Sequence, residues 1–296
     1  MNTDAVDVRD LRVFTAVAAC GSFSAAAREL GTTQPSVSRA VARLEAAVGV
    51  PLVVRTTRRL SLTDAGTVLL REARQALDQL AAAVTLARRA ARGPGRLTVA
   101  VKPDGDAGLL ATALPGLEAL LGDRVDLVLA ETPELAPAVR TGRADACLVA
   151  GPVDLTGLDH DLVLSEPRLA VLPAAHRFAG RDRLERAELD GEPVVRWPRL
   201  PRPLDRFYQG LVGDEPPRTV PAPDAGDLAE ALRLVELGRG VTFLPVSVVR
   251  RFAARAVRTV AVGGLPPSEL RLAWRAVSRD PAVSRLIDHI HATAAS

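Results

Sequence analysis

The stretch 63–92 constrains the fold most, because it contains no proline and only one glycine, Gly66. Apolar residues recur along it at spacings of four and three, at Leu69, Ala73, Leu77, Leu80, Val84 and Ala87. This spacing predicts one helix of roughly 40 Å with a single apolar stripe. Packing on the preceding residues covers only the first turns, so the favoured partner is the same helix of a second copy. Thr63 is the predicted N-cap, and Gly93-Pro94-Gly95 is predicted to be a hinge after the helix.

The charge of the chain differs on the two sides of this helix. Residues 1–92 carry 13 Arg and 8 Asp or Glu, whereas the remainder carries 25 basic and 27 acidic residues. A basic first third favours a nucleic-acid-binding part joined to a second domain. No signal peptide or membrane span is apparent, and Cys20 and Cys147 have no metal-ligand spacing. These features predict a cytoplasmic protein in a reducing compartment.

Residues 1–62 predict a bundle of three short helices followed by a hairpin. The first helix has apolar residues at i, i+3 and i+7, which are Leu11, Phe14 and Ala18. Ser22 or Ser24 is the predicted N-cap of a second helix over 25–30, which ends at a left-handed Gly31. Thr33 is the predicted N-cap of the third helix.

The third helix has one apolar and one polar face. Its apolar residues, at spacings of four and three, are Val37, Val41, Leu44 and Val48. Gln34 and Ser38 form one exposed column at i and i+4, and Pro35 and Arg39 form the next. Gln can pair with adenine, Arg with guanine or phosphate, and Pro can contact a thymine methyl group, so this end of the helix suits a major groove.

The hairpin over 53–62 carries Arg55, Arg58 and Arg59 around a short turn. Such a wing brings cations to phosphates or to a minor groove. Taken one at a time, the helices and the hairpin are equally compatible with a capped helical bundle and a solvated hairpin that have no role in DNA binding. The order of the pieces along the chain favours a winged helix-turn-helix.

The same segment resembles the DNA-binding segment of LysR-type transcriptional regulators. The matching parts are Gly21-Ser22-Phe23, Ala26-Ala27, Gln34-Pro35-Ser36, Ser38-Arg39, Leu44-Glu45, Gly49, Arg55 and Leu62-Thr63-Asp64-Ala65-Gly66. Val53-Val54 departs from the pattern of that family before the wing arginine. The residues predicted to contact DNA are Ser24, Thr33, Gln34, Pro35, Ser36, Ser38, Arg39, Arg43, Arg55, Arg58 and Arg59.

Beyond residue 96, predicted strands and helices alternate. The predicted strands are 97–101, 125–130, 146–150, 194–197 and 241–244, and the predicted helices are 109–121, 135–141, 204–212, 227–237 and 283–292. This alternation predicts parallel sheets flanked by helices. Strands crossing near 166–172 and 270–276 would join two such lobes around a cleft, and the last helix would return to the first lobe.

A weaker resemblance covers this part of the chain. Gly142-Arg143-Ala144-Asp145, the stretch 166–173 with His176, and Gly238-Arg239-Gly240-Val241 followed by Leu244-Pro245 look like the effector-binding domain of the family. That domain is similar to type 2 periplasmic binding proteins, which implies a small-molecule effector between the lobes.

The predicted fold class is therefore α/β overall, with an N-terminal winged helix-turn-helix. The predicted limits are 1–62 for the DNA-binding domain, 63–92 for the linker helix and 93–296 for the effector-binding domain. Within the last, lobe I covers about 96–165 and 271–296, and lobe II about 166–270.

Ligands of open parallel sheets bind at the carboxyl ends of the strands. This rule selects Lys102, Pro103, Asp104, Glu131, Thr132, Pro152, Trp197, Arg199 and Pro245 as effector-binding residues. Lys102, the one lysine of the chain, and Arg199 favour an acid, whereas Asp104, Asp106, Glu131 and Asp227 oppose it. The hypothesis is a zwitterionic or amine-bearing effector. In the alternative, Lys102 pairs with Asp104 or Glu131 and contacts no ligand.

Other classes of function are disfavoured. The chain has no zinc spacing, phosphate loop or nucleophile elbow, so neither an enzyme nor a metal or cofactor is predicted. A periplasmic binding protein would need a signal peptide, and a two-cysteine redox sensor would need neighbouring cysteines. The predicted partners are a pseudo-palindromic double-stranded DNA site, a second copy in a homodimer or tetramer, the effector and RNA polymerase, with no membrane.

Overall fold

The computed structural model describes residues 6–55, 60–91, 96–213, 220–252, 256–278 and 280–295. The chain forms two compact units, Met1–Arg88 and Arg89–Ser296. The predictions at Arg58, Arg59, Arg92 and the Gly93-Pro94-Gly95 hinge lie outside the described residues.

The first unit begins with the three predicted helices, α1 (Val8–Cys20), α2 (Phe23–Glu29) and α3 (Gln34–Val48). Each has a side-chain N-cap: Asp7 accepts from Arg9 N, Ser22 from Ala25 N, and Thr33 from Ser36 N. Ser22 is thus the cap of α2, whereas Ser24 lies inside the helix. Caps of this kind satisfy backbone N–H groups that have no partner within the helix.

The core of this unit lies where the three helices meet. Phe14, Val37 and Val41 are fully buried, and Leu44 is nearly so. These four were predicted from their spacing and are confirmed. On α1, however, Val17 is fully buried while Ala18 is only half-buried. The buried stripe of α1 is therefore turned by one residue from the prediction.

Strands β1 (Val53–Arg55) and β2 (Leu60–Leu62) form the predicted hairpin, with Val53 opposite Leu62. The long helix α4 follows at Asp64–Ala90. Its N-cap is Thr63, as predicted, because Thr63 Oγ1 accepts from Gly66 N at 2.9 Å.

Leu52 holds this corner together. Its N–H donates to Glu45 Oε1 on α3 at 2.8 Å, and its carbonyl accepts from Thr63 N at 3.0 Å. Gly66 packs directly on the same carbonyl, where a Cβ on Gly66 would lie 2.0 Å from Leu52 O. The end of α3, the first wing strand and the start of α4 are thereby joined through the backbone of one residue.

The second unit contains the remaining elements. Its strands are β3 (Thr98–Val101), β4 (Asp126–Leu129), β5 (Ala146–Ala150), β6 (Leu158–Glu166), β7 (Arg168–Pro173), β8 (Arg183–Glu185), β9 (Pro193–Arg196), β10 (Val220–Asp224), β11 (Thr242–Pro245), β12 (Val257–Gly263) and β13 (Ser268–Arg275). Its helices are α5 (Leu109–Leu121), α6 (Thr132–Arg140), α7 (Arg202–Tyr208), α8 (Leu228–Glu236), α9 (Val246–Phe252) and α10 (Pro281–Ala294), with a 3₁₀ helix at Arg186–Leu189.

These strands form two lobes. The sheet of lobe I has the order β4-β3-β5-β13-β6, in which β3 runs parallel to β4 and β5, and β13 runs antiparallel to β5 and β6. Lobe II has a sheet of order β11-β7-β12-β8 and a parallel β9–β10 pair. The Val194–Val241 bridge connects the two.

The predicted parallel pairing holds for β3, β4 and β5, whereas the strands that join the lobes pair antiparallel with their neighbours. The chain enters lobe II between β6 and β7 at Pro167 and returns between β12 and β13 at residues 264–267. Parallel pairing of consecutive strands needs a crossover connection, usually a helix, and the strands that pass between the lobes have none. Accordingly, β7 runs antiparallel to β11, and β13 runs antiparallel to β5. The predicted crossings are confirmed, although the return begins slightly earlier along the chain.

The last helix, α10, packs on α5, and His289 Nε2 lies 3.0 Å from Ala113 O. This confirms its predicted return to lobe I. Among the described residues, no helix is both long enough and apolar enough to span a bilayer.

A Gly66→Ala variant is expected to lower the thermal unfolding midpoint of the chain, because the new methyl group would collide with the Leu52 carbonyl. Overpacking of this kind costs about 1–3 kcal/mol. Circular dichroism melting measures the change. The matched control is Gly180→Ala, since no described atom lies within 4 Å of that added Cβ. Equal midpoints for the two variants would contradict the close packing at Leu52.

Candidate nucleic-acid interface and ligand cleft

The N-terminal end of α3 presents the predicted polar columns to solvent. Gln34, Pro35 and Arg39 are exposed, and Ser38 is half-buried. Gln34 Nε2 donates to Ser38 Oγ at 3.1 Å, and Arg39 Nη2 donates to Ser36 Oγ at 3.5 Å. The amide and guanidinium groups are therefore each held by a serine about one helical turn away, at the end of the helix that enters the major groove in helix-turn-helix proteins.

The remaining predicted contacts lie around this end. Ser24 on α2 and Thr33 are exposed, and Thr33 Oγ1 lies 2.9 Å from Ser36 Oγ. Arg55 is the last residue of β1, the first strand of the wing.

Arg43 has a structural partner that the sequence pattern did not indicate. Its Nε and Nη2 donate to the two carboxylate oxygens of Asp10 at 2.9 and 2.6 Å, which ties α3 to α1. Asp10 is only 5% exposed. The two residues are 33 positions apart, so no helical periodicity relates them.

A cavity lies between the two lobes of the second unit, and we call it the cleft cavity. Its empty volume is about 780 Å³, part of it open to solvent. Six of the predicted effector-binding residues line it, namely Lys102, Asp104, Glu131, Thr132, Trp197 and Pro245.

Three predicted residues lie elsewhere. Pro103 lines the adjoining mouth of the cleft, together with Lys102 and Arg251. Arg199 is next to Gly226, where a Cβ would lie 3.2 Å from Arg199 Nη1, but Arg199 itself does not line the cavity. Pro152 lines a separate cavity that shares no residue with the cleft cavity. The expectation that ligands bind at the carboxyl ends of parallel strands does not hold for Pro152. Pro152 follows β5, and β5 pairs with the antiparallel strand β13.

The lining of the cleft cavity is acidic. Lys102 Nζ pairs with Asp104 and lies 3.9 Å from Glu131 Oε2, which is the ion pairing foreseen by the alternative prediction. Glu166 and Asp227 add two further carboxylates. Lys102 is the single cationic side chain in the described lining, and Asp104 already neutralises it.

Two of the lining residues that sequence reasoning missed connect the lobes. Glu166, at the end of β6, accepts from Ser247 N at 2.8 Å and from Ser247 Oγ at 2.6 Å. Ser247 belongs to α9, so this carboxylate joins the lobe I sheet to a helix of lobe II. The pair is 81 positions apart in the chain, and no local motif marks it.

Aromatic groups supply the hydrogen-bond donors of the cavity. Trp197 is 5% exposed, and its Nε1 has no hydrogen-bond partner within the described part of the chain. The Tyr208 ring lies 5.0 Å from the Trp197 ring. Burial, with the nearby Asp104 and Glu131 charges, raises the pKa of Tyr208 above its usual value, so its phenol remains a protonated donor.

A DNA-facing helix on one unit and a ligand cleft on the other define a class of protein, the ligand-responsive DNA-binding regulators. Residues 8–67 match the family model described as bacterial regulatory helix-turn-helix protein, lysR family. Residues 90–295 match the LysR substrate binding domain. The chain belongs to the LysR family of transcription regulators, which are not enzymes.

Curated relatives and solved structures agree with this assignment. The chain is 31% identical over 293 residues to the Hca operon transcriptional activator HcaR of Escherichia coli (strain K12), covering 95% of this chain and 96% of HcaR. It is also 31% identical over 296 residues to the regulator IlvR of Caulobacter vibrioides, covering 95% and 96%. A solved structure of an H2O2-bound OxyR mutant from Corynebacterium glutamicum matches 97% of this chain and 91% of its own, with a TM-score of 0.57 and 26% identity.

The cysteines of this chain are placed differently from a reactive pair. Cys20 belongs to the first unit and donates to Glu29 Oε2 at 2.8 Å, whereas Cys147 belongs to the second. Cys147 is fully buried in β5, and burial raises its pKa to about 12. Its thiolate fraction at neutral pH is therefore only about one in 10⁵, and the thiolate is the reactive form.

Cys147 is accordingly expected to resist both iodoacetamide and H2O2 in the folded chain at pH 7. Its thiolate would become available only as pH rises towards its pKa or as the chain unfolds. Peptide mass spectrometry after treatment measures the modification, and the same treatment in denaturant is the control that should label it. Rapid modification of Cys147 in the folded chain would contradict this placement.

Proposed function

We propose that two copies of this regulator bind a pseudo-palindromic double-stranded DNA site, with one α3 in each of two successive major grooves. The supporting observation is the exposed row of Gln34, Pro35 and Arg39 on a capped helix whose other face is fully packed. In helix-turn-helix proteins this end of the second motif helix contacts the bases, and two-fold dimers bind half-sites about one helical turn apart.

Within this interface the residues have separate tasks. Gln34 suits adenine and Arg39 suits guanine or phosphate, while Ser38 orients the Gln34 amide. Around the N-terminal end of α3, the DNA phosphate backbone is contacted by Thr33, Ser36 and Ser24. The wing with Arg55, Arg58 and Arg59, together with Arg43, brings further cations to the phosphates.

The proposed dimer forms through α4. Leu80 and Val84 are 40% and 44% exposed in the single chain, and both belong to the apolar stripe of this helix. Coiled-coil partners cover such a stripe with the same stripe of a second copy. We place the functional limits at 1–62, 63–92 and 93–296, and we assign homodimers, or tetramers built from them, as the DNA-binding form.

The proposed effector is a small amine or zwitterion in the cleft cavity. Glu131 and Asp227 provide negative charge for an ammonium group beside the Lys102–Asp104 pair, and Trp197 Nε1 provides a donor for an acid or carbonyl oxygen. Trp197 Nε1 takes over the task first assigned to Lys102, because Lys102 is neutralised by Asp104. Binding between lobes favours one lobe arrangement and so changes how the dimer bends its DNA.

Such a regulator acts where the chromosome and RNA polymerase are, so we assign it to the cytoplasm with RNA polymerase as a partner. Specific sites are best sought in the DNA that flanks its own gene.

Gln34→Ala and Arg39→Ala are each expected to weaken specific DNA binding by about 1–3 kcal/mol, because a bidentate base contact is lost. Gel retardation on the flanking DNA, over a range of salt concentrations, measures the loss. Arg71→Ala is the matched control, since Arg71 is exposed on α4 and pairs with Glu72. Arg71→Ala should bind like the parent chain, and if both α3 variants did so too, the contact assignment would be wrong.

The effector assignment predicts that calorimetry detects binding of amines or zwitterions, such as L-phenylalanine, L-lysine or putrescine, and that any binding of succinate does not depend on Trp197. Trp197→Phe should weaken the binding of a zwitterion about tenfold, the effect of losing one hydrogen bond to a charged group. Trp274→Phe changes the chain's other tryptophan, which does not line the cavity, and is the control. Binding of succinate alone would refute an amine-bearing effector.

A further inference from the structure

A second cavity lies where the chain passes between the lobes, and we call it the hinge cavity. Arg168, directly after the first passage, lines it together with Pro266 and Pro267 of the return passage. Its empty volume is about 1080 Å³, part of it open to solvent. Both lobes contribute to its walls, through Gly151 and Glu269 on one side and α7 on the other.

The hinge cavity and the cleft cavity lie on opposite faces of β13. Leu270 lines the cleft cavity, whereas its neighbours Glu269 and Arg271 line the hinge cavity. Successive side chains of a strand point to opposite faces of the sheet. On α7, likewise, Tyr208 lines the cleft cavity and Phe207 the hinge cavity. A ligand in one cavity therefore leaves the other free.

Arg168 is the most unusual residue of the hinge cavity. It is 2% exposed, and its guanidinium carbon lies 3.9 Å from the centroid of the Phe207 ring. Its Nε donates to Pro266 O at 2.9 Å and its Nη1 to Phe207 O, but its Nη2 has no partner among the described residues. No carboxylate of the described chain forms an ion pair with it. A buried charge without a counter-charge is costly, and burial lowers the pKa of Arg168 to about 10.

The surroundings of Arg168 add positive charge instead of removing it. Arg202, Arg206 and Arg271 also line the cavity, and the one acid among its described lining residues is Glu269, which pairs with Arg271. The remaining lining is largely apolar, with Phe207, Leu211 and Val212 beside several prolines. The walls therefore combine several guanidinium groups with an apolar surface.

We propose that the hinge cavity binds a small organic carboxylate. Its carboxylate group meets the exposed Arg202 and lies near the buried Arg168, because guanidinium groups match carboxylates in shape and donate two hydrogen bonds at once. Its apolar body lies against Phe207 and Leu211. Bound there, the acid supplies the counter-charge that Arg168 lacks and contacts both lobes, so it favours one lobe arrangement independently of the cleft cavity.

Calorimetry on the full-length chain tests this, with cyclohexanecarboxylate as the probe. The matched probes are cyclohexylmethanol, which lacks the charge, and inorganic phosphate, which lacks the apolar body. We expect the carboxylate to bind. The alcohol should bind at least about tenfold more weakly because it loses a charge-assisted hydrogen bond. Phosphate should also bind at least about tenfold more weakly because it buries no apolar group.

Arg202→Gln is the decisive variant, because Arg202 is exposed at the start of α7 and its replacement leaves the buried core intact. It should weaken carboxylate binding about tenfold, whereas Arg250→Gln, an exposed arginine of lobe II outside the cavity, should change it less than about twofold. Arg168→Met should abolish it, if that variant folds by circular dichroism.

Absence of carboxylate binding, equal binding to Arg202→Gln, or equal binding of the alcohol would overturn the proposal. If phosphate bound as tightly as the carboxylate, the proposal that the ligand is an organic acid would be overturned. DNA binding by Arg202→Gln, measured by gel retardation, should match the parent chain, so failure here is distinct from failure of the DNA-binding proposal.

Discussion

The DNA-binding unit depends on the backbone of Leu52. Its N–H is held by Glu45 near the end of α3, its carbonyl accepts from Thr63 before α4, and Gly66 packs against that carbonyl. The Leu52 side chain is fully buried in the same core as Phe14 and Leu44. The helix that meets DNA, the wing and the long helix thus share one anchor.

In the second unit, the two passages of the chain between the lobes have a comparable role. They form the floor between two cavities of opposite character. The cleft cavity is acidic because the ammonium group of Lys102 is neutralised by Asp104 while Glu166 and Asp227 remain. The hinge cavity is basic because Arg168 is buried with carbonyl and aromatic partners and pairs with no carboxylate of the described residues. Alternation along β13 separates the two, so one strand serves both.

Local rules of the sequence account for much of this molecule. Thr33 and Thr63 cap α3 and α4 where their side chains and the following apolar spacing indicate. The crossings between lobes were also predictable, since hydrophobic runs without an intervening helix mark them. By contrast, β6, β8, β10 and β12 were not predicted. Strand β6 is largely solvent-exposed along one side and carries no continuous apolar run, so its periodicity is weak.

The sequence by itself determined the order of elements, the polar face of α3 and the apolar stripe of α4, because each depends on spacing within one helix or strand. Tertiary structure alone decided which distant groups meet. It paired Arg43 with Asp10, placed Glu166 against Ser247, and moved Pro152 out of the cleft into the hinge cavity. It also left Nη2 of Arg168 buried without a hydrogen-bond partner among the described residues. Contacts between residues far apart in the chain depend on how sheets and lobes pack, and no local periodicity encodes that packing.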